Sequence, residues 1–229
     1  MGSDREAGPL ARRDILGVVL AGGESRRFGM DKALFPLLGR AMASWALEAM
    51  RPWTSSQVVI TNSGEVAEAL GVPGRPDRIP GLGPLGGLHA GLSWAREEGR
   101  EGLFLLACDL PLVTGELVGR ILGSWPEDSL AVVPGSRGPL GFEPLCAGYD
   151  AAGLQGLEAL IETGKRSMES ALTQMGTFRI RPTELGSREE LAVAFTNVNT
   201  LDTARWAENV LRARVSASEA GRPDRGCEQ

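Results

Sequence analysis

Ile15-Leu16-Gly17-Val18-Val19-Leu20-Ala21-Gly22-Gly23-Glu24-Ser25-Arg26-Arg27-Phe28-Gly29-Met30-Asp31-Lys32 starts as an apolar run and ends in glycines and basic side chains. The run from Ile15 to Leu20 reads as a buried strand. Glycines at the carboxyl end of a strand let a ligand press against backbone amides, because no Cβ stands in the way. Arg26, Arg27 and Lys32 lie just beyond and supply positive charge for phosphates. The segment therefore reads as a cradle for nucleotide phosphates. Spacing excludes two well-known kinds. Gly22 and Gly23 are adjacent and the next glycine is Gly29, so the dinucleotide fingerprint G-x-G-x-x-G fails. Met30 follows Gly29, so the P-loop, which needs lysine there, fails too.

A chain of 229 residues can bury a full core in one α/β domain, or in at most two small ones. The net charge of −5, with lysines and arginines scattered, argues against a basic face for nucleic acid. No apolar run reaches bilayer-spanning length, and residues 1–14 lack the apolar core of a secretory signal. Cys108, Cys146 and Cys227 form no C-x-x-C pair. Cys108 and Cys146 fall in apolar runs and read as free buried thiols. A cytoplasmic protein without membrane or nucleic-acid partners is the expectation. His89 is the only histidine, which removes most imidazole-based catalysis and most His-ligated metal sites, and a packing role is expected for it.

Residues 1–14 and 214–229 are polar and small and carry Gly and Pro, so they are expected to be disordered tails around one domain, 15–213. Within it strands and helices alternate. Strands are expected at Ile15–Leu20, 57–61, 103–107, 130–134, 144–149, 177–181 and 195–198. Helices are expected at Met42–Met50, 65–70, 88–97, 115–125 (capped by Thr114), 151–162, 167–174 and 201–212. The Pro- and Gly-rich stretch 71–87 reads as a functional loop. Such alternation predicts an α/β fold with a mostly parallel twisted sheet and helices on both faces, with ligands at the carboxyl ends of the strands.

Five constellations carry chemistry. In the first, the amides of Leu20, Ala21 and Gly22 approach base and ribose, while Arg27 and Lys32 reach phosphates; Arg26 is assigned to the surface. In the second, Cys108-Asp109-Leu110-Pro111, a carboxylate directly follows a buried strand. Asp109 there either ligates Mg²⁺, a hard cation completed by substrate phosphates, or caps the following turn. In the third, Asp77 precedes Gly81-Leu82-Gly83-Pro84-Leu85-Gly86-Gly87; its carboxylate either accepts the N1–H and N2–H₂ donors of a guanine or is solvated. In the fourth, Asn197-Val198-Asn199-Thr200, strand alternation would put both asparagines on one face, to orient phosphates or a metal-bound water, with Asn199 or Thr200 capping the closing helix as the competing reading. In the fifth, Gly164-Lys165-Arg166-Ser167, two cations precede a helix N-terminus, suiting an anionic acceptor or simply forming a turn.

The set L-A-G-G-x-S-x-R-x-G-x-D-K, ending at Lys32, resembles the signature loop of the nucleoside-triphosphate transferases. Together with Gly83-Pro84-Leu85-Gly86-Gly87, Cys108-Asp109-Leu110-Pro111, Glu143-Pro144-Leu145-Cys146-Ala147, Gly164-Lys165-Arg166-Ser167 and Asn197-Val198-Asn199-Thr200, it makes residues 15–210 resemble the molybdenum cofactor guanylyltransferase (MobA-type) family of the nucleotidyltransferase superfamily. The resemblance implies a single-domain, Rossmann-like fold of the nucleotide-diphospho-sugar transferase type. It implies transfer of GMP from GTP onto molybdenum-bound molybdopterin, with pyrophosphate released and Mg²⁺ held by Asp109. It implies a nucleotide site of Leu20, Ala21, Gly22, Gly23, Lys32, Asn62, Asp77, Gly83 and Asp109. Arg27, Lys32 and Asp109 would act in catalysis, and Lys165, Arg166, Asn197 and Asn199 would bind the acceptor. Partners would be GTP, molybdopterin and molybdoenzymes or other cofactor-biosynthesis proteins. Phe142-Glu143 stands where many members carry a histidine. A sister activity with CTP or another phosphorylated acceptor, and a non-catalytic nucleotide-binding module, are the alternatives.

Overall fold

The computed structural model describes residues 14–22, 30–79, 81–138 and 140–220. Its centre is a seven-stranded sheet in the order β5-β4-β1-β6-β8-β7-β9. The strands are β1 (Ile15–Leu20), β4 (Ser56–Ile60), β5 (Gly74–Arg75), β6 (Gly102–Ala107), β7 (Ala131–Pro134), β8 (Cys146–Asp150) and β9 (Phe178–Ile180). A separate hairpin joins β2 (Pro36–Leu37) to β3 (Arg40–Ala41). Four of the sheet pairings are parallel, and both pairings of β8 are antiparallel. A short return from β7 leaves no room for a crossover helix, so β8 must run backwards.

Every residue of β1 and of β6 is buried. Alternate side chains point to opposite faces of a strand, and the burial follows that rule. Val19, Val59, Phe104 and Leu106 pack with α1 (Met42–Met50) and α4 (Gly115–Gly123). Val18, Leu20, Val58, Ile60, Leu103 and Leu105 pack on the other side with α3 (Pro84–Glu97), α5 (Leu154–Glu162) and α6 (Met168–Gln174). A third cluster joins Leu37, Met42, Leu112, Val198, Ala204, Ala207 and Leu211, and docks the closing helix α9 (Leu201–Ala220) on the hairpin.

The expected architecture holds, with corrections. Residues 195–198 form no strand. They follow α8 (Arg188–Ala194), and Val198 gives its N–H to the Asp109 carbonyl rather than to a sheet edge. Two further helices lie between β9 and α9, α7 (Pro182–Leu185) and α8, the second opened by the capping box Ser187-x-x-Glu190. Helix α3 starts at Pro84, four residues before the expected start, since proline's fixed φ suits a first helical position. The polar tail expected from residue 214 is helical as far as Ala220, because 214–220 hold no Gly or Pro and continue a helix already anchored by Ala204, Ala207 and Leu211. Of the expected tail 1–14, Asp14 is held by the Arg100 guanidinium at 2.9 Å, and residues 1–13 and 221–229 lie outside the described residues. The remaining helix is α2 (Gly64–Leu70). No helix among the described residues is long and apolar enough to cross a membrane.

Close packing makes Gly119 in α4 informative. A Cβ added there would lie 2.3 Å from the Trp53 ring. Alanine is favoured over glycine in a helix by about 1 kcal/mol, but overpacking costs about 1–3 kcal/mol. Gly119→Ala is therefore expected to destabilise the protein, as a lower urea midpoint at unchanged slope; a raised midpoint would contradict this packing.

Candidate active site

A cleft of about 1120 Å³ opens at the carboxyl ends of β1, β4 and β6. Leu20, Ala21 and Gly22 border it after β1, Asn62 after β4 and Asp109 after β6. Asp77 and Gly83, from the chain leading into α3, line it together with Lys32 and Asn199.

Lys32 opens a 3-10 turn, Lys32–Leu34, whose N-cap is Asp31; the Asp31 carboxylate accepts the Ala33 N–H at 2.9 Å. The Lys32 ammonium reaches across the cleft and donates to the Asp109 carboxylate at 2.7 Å. It also donates to the Asn199 carboxamide oxygen. The Asn197 carboxamide, oriented with its nitrogen toward Asp109, donates to both carboxylate oxygens at 3.2 and 3.3 Å. The Asp109 carbonyl accepts the Val198 N–H at 2.9 Å. Three stretches of chain thus meet at one ion pair. Both asparagines arrive there although their segment is not a strand. The capping role falls to Thr200, whose hydroxyl accepts the Thr203 N–H at 3.2 Å, which leaves the Asn199 side chain to Lys32.

At the other end of the cleft, one Asp77 oxygen accepts the Ile79 N–H at 2.9 Å. The carboxylate lies over Gly86 in the first turn of α3, where an added Cβ would be 2.3 Å from it. Glycine at this place lets a carboxylate sit against the positive end of a fourteen-residue helix. Asn62 occupies the bend between β4 and α2, where the Thr61 hydroxyl accepts the Ser63 N–H at 3.1 Å.

Other expected site residues are distributed differently. Ser167 caps α6 through the Ser170 N–H at 3.1 Å. Arg166 is exposed, and its guanidinium comes within 3.9 Å of a Cβ built on Gly81, at the cleft rim. Lys165 is exposed and does not border the cleft. Gly23 and Arg27 lie outside the described residues. His89 is buried in α3, with Nε2 3.5 Å from the Glu158 carboxylate of α5, away from the cleft. Cys108 and Cys146 are free and buried, and burial pushes the Cys108 thiol up to about 12.

Glu143 opens the motif Glu143-Pro144-Leu145-Cys146-Ala147, in which the sequence assigns it no role, and stands near this end of the fold. β6 and β8 pair with Leu106 opposite Cys146, and the Ala107 N–H donates to the Leu145 carbonyl at 2.8 Å. The pairing ends there and the chain turns at Pro144 and Leu145, with the Cys146 N–H donating to the Glu143 carbonyl at 3.3 Å, which leaves Glu143 just ahead of β8 at the edge where Asp109 follows β6. Burial pushes the Glu143 carboxyl up to about 7; the Leu145 N–H works against this, and the charge of Asp109 reinforces it. A carboxyl directly before a predicted strand that pairs with the Asp109 strand was the available signal.

Residues 17–178 match the model of the MobA-like NTP transferase domain. A molybdenum cofactor guanylyltransferase of Desulfosudis oleivorans is 30% identical over 204 residues, covering 88% of this chain and 98% of the relative. The crystal structure of molybdopterin-guanine dinucleotide biosynthesis protein A from Archaeoglobus fulgidus superposes with a TM-score of 0.68 at 26% identity, over 87% of this chain and all of that one. A 2-C-methyl-D-erythritol 4-phosphate cytidylyltransferase from Thermus thermophilus shares the fold alone, at 17% identity and a TM-score of 0.61, over 85% of this chain and 98% of that one. The domain match covers well over half the sequence and the alignment runs nearly end to end, so the chain belongs to the MobA-like NTP transferase family of nucleotidyltransferases.

Proposed function

We propose that this chain transfers GMP from GTP to molybdenum-bound molybdopterin, forming the guanine dinucleotide cofactor and releasing pyrophosphate. The observation that carries the reading is the meeting of Lys32, Asp109, Asn197 and Asn199 at one end of a cleft whose other end holds Asp77 and Asn62. The dimensions suit a nucleoside triphosphate lying across the sheet edge. Its base would sit by Asp77, whose second carboxylate oxygen accepts no hydrogen bond among the described residues and is suited to the N1–H and N2–H₂ edge of guanine. Its phosphates would lie on Gly22 and Lys32.

Around Asp109 stand the Lys32 ammonium, paired with it at 2.7 Å, and the Asn197 carboxamide, and no group of three or more His, Cys, Asp or Glu gathers among the described residues. One carboxylate plus substrate phosphates is how Mg²⁺ is commonly held, so Asp109 would hold Mg²⁺, with an asparagine oxygen beside it. When bound, the ion supplies charge neutralisation at the phosphate oxygens. No protein nucleophile is needed. A phosphate oxygen of the acceptor forms the bond to the α-phosphorus as the bond to pyrophosphate breaks. Lys32 follows the charge that moves onto the leaving oxygens, and Asn197 and Asn199 hold the reacting groups in line. The acceptor would enter beside β8, past Glu143, since the base side is closed by α3. Arg166, whose guanidinium approaches Gly81, would stand at the rim on the base side. Molybdoenzymes or other cofactor-biosynthesis proteins would then take the product.

Pyrophosphate release with GTP, Mg²⁺ and molybdenum-bound molybdopterin tests the reading. Release with CTP but not with GTP would turn the assignment to a cytidylyltransferase, and GTP binding without release would turn it to a sensor. Asp109→Asn is expected to lower turnover by about 10² or more, by analogy with loss of one charge-stabilising group, while the melting temperature changes little. Asp77→Asn is expected to weaken GTP binding by about 1.5–3 kcal/mol, the worth of hydrogen bonds to a charged group, and to leave CTP binding as it was, measured by calorimetry. The raised carboxyl of Glu143 gives a pH signature. Its proton is bound more tightly in the folded than in the unfolded chain, so its contribution to stability is fully present below the ordinary value of 4.5 and is lost as pH rises through about 7. Urea unfolding of Glu143→Gln should therefore show a gain over wild type that is larger at pH 8 than at pH 5; equal gains at both would remove the buried carboxyl from the account.

A further inference from the structure

The last turns of α9 hold a cation in an unusual place. Arg214 is half-buried, and its guanidinium donates to the Leu112 carbonyl at 2.8 Å. Burial lowers its basicity, and among the described residues it makes no ion pair. Placing a charged group partly out of water against one carbonyl is costly. Helix α9 runs on to Ala220, so the contact is not needed to end it.

Leu112 shows what the contact does. It lies three residues beyond Asp109, fully buried in the third apolar cluster with Leu37, Val198 and Leu211. The turn between Asp109 and Val113 is held internally by long hydrogen bonds, Leu110 N–H to Ala107 carbonyl at 3.2 Å and Val113 N–H to Leu110 carbonyl at 3.3 Å. The shorter bonds come from the C-terminal segment: Val198 to the Asp109 carbonyl at 2.9 Å and Arg214 to the Leu112 carbonyl at 2.8 Å. One bond grips each end of the turn. Asp109 takes its aim from that turn.

We propose that Arg214 is a positioning residue: by holding the Leu112 carbonyl it fixes the 109–113 turn, and through it the direction in which the Asp109 carboxylate faces the reacting phosphates. This rests on the guanylyl-transfer reading above. The nucleotide-base end of the cleft is built on β4 and α3, which Arg214 does not touch, so the two ends respond separately. A carboxylate displaced by a fraction of an ångström loses alignment with the reacting phosphates, and alignment acts on the chemical step rather than on base binding.

The experiment uses the full chain as wild type, Arg214→Met and Arg214→Lys. Methionine keeps the helix and an apolar stem but gives up the donor; lysine restores a donor. In pyrophosphate-release assays with GTP, Mg²⁺ and molybdenum-bound molybdopterin, the Met variant should lose on the order of tenfold in kcat, with KM for GTP unchanged, and the Lys variant should recover part of that loss. Amide hydrogen exchange, which needs no turnover, should show faster exchange in the Met variant at Leu110 and Val113 and no change in α3. Wild-type kcat in the Met variant, a Lys variant no better than Met, or a parallel rise in KM for GTP would each overturn the proposal. Unchanged exchange across 109–113 would overturn it as well, whether or not the wild type turns over. Absence of pyrophosphate release from wild type alongside altered exchange would remove the transfer reaction and leave the clamp on the turn in place.

Discussion

The contact between the Lys32 ammonium and the Asp109 carboxylate joins positions 77 apart in sequence, with both side chains mostly withdrawn from water, at 15% and 22% exposure. A pair in that setting is poor insurance of stability, because desolvation offsets much of the attraction and apolar side chains of similar size often do as well. Its value lies in what each charge can exchange. In the proposed reaction the ammonium would exchange that carboxylate for triphosphate oxygens, and the carboxylate would exchange the ammonium for a hard cation, so neither charge would have to be created or newly buried when substrate arrives. Asn199 holds the ammonium and Asn197 the carboxylate.

The sheet decides where this happens. β1 and β6 run side by side and are buried throughout, so Gly22 and Asp109, which follow them, stand at the edge where the helices part. The base end is formed by rigid pieces, the first turn of α3 with Asp77 seated over Gly86. The reacting end is formed by loops tied to one another, and the third apolar cluster lies behind it, linking the hairpin that follows Lys32, the turn that follows Asp109 and the helix that follows Asn199. Loops gain precision here by sharing a small core, as sites on regular elements do by sharing a large one.

Much of this was legible from the residues. Strong apolar runs located β1 and β6, and the regular spacing of Trp45, Leu47 and Met50 located α1, because burial on one or both faces leaves a period in the sequence. Gly-rich spacing and the lone carboxylate after β6 located both ends of the cleft. Tertiary effects were less visible. Residues 195–198 carry strand-like side chains, yet every neighbouring sheet position was taken, so Val198 bonds to a turn instead. Arg214 reads as the start of a polar tail until its carbonyl partner, 102 positions earlier, is known. Glu143 belongs to a sequence motif, but its place beside the edge that holds Asp109 is not legible until the direction of β8 is known, since only an antiparallel β8 carries it there.

That reversed strand separates two kinds of change. In an all-parallel sheet the segment entering β8 would lie at the opposite edge, far from the reacting phosphates. Here the return from β7 reaches the edge that holds Asp109, with Leu145 lining the cleft, while β4 and α3 border it elsewhere. On the proposed reaction, lengthening or rewriting that return would alter which phosphorylated acceptor is admitted and leave the nucleotide grip as it is. A fold arranged this way could acquire new acceptors by editing a single bend.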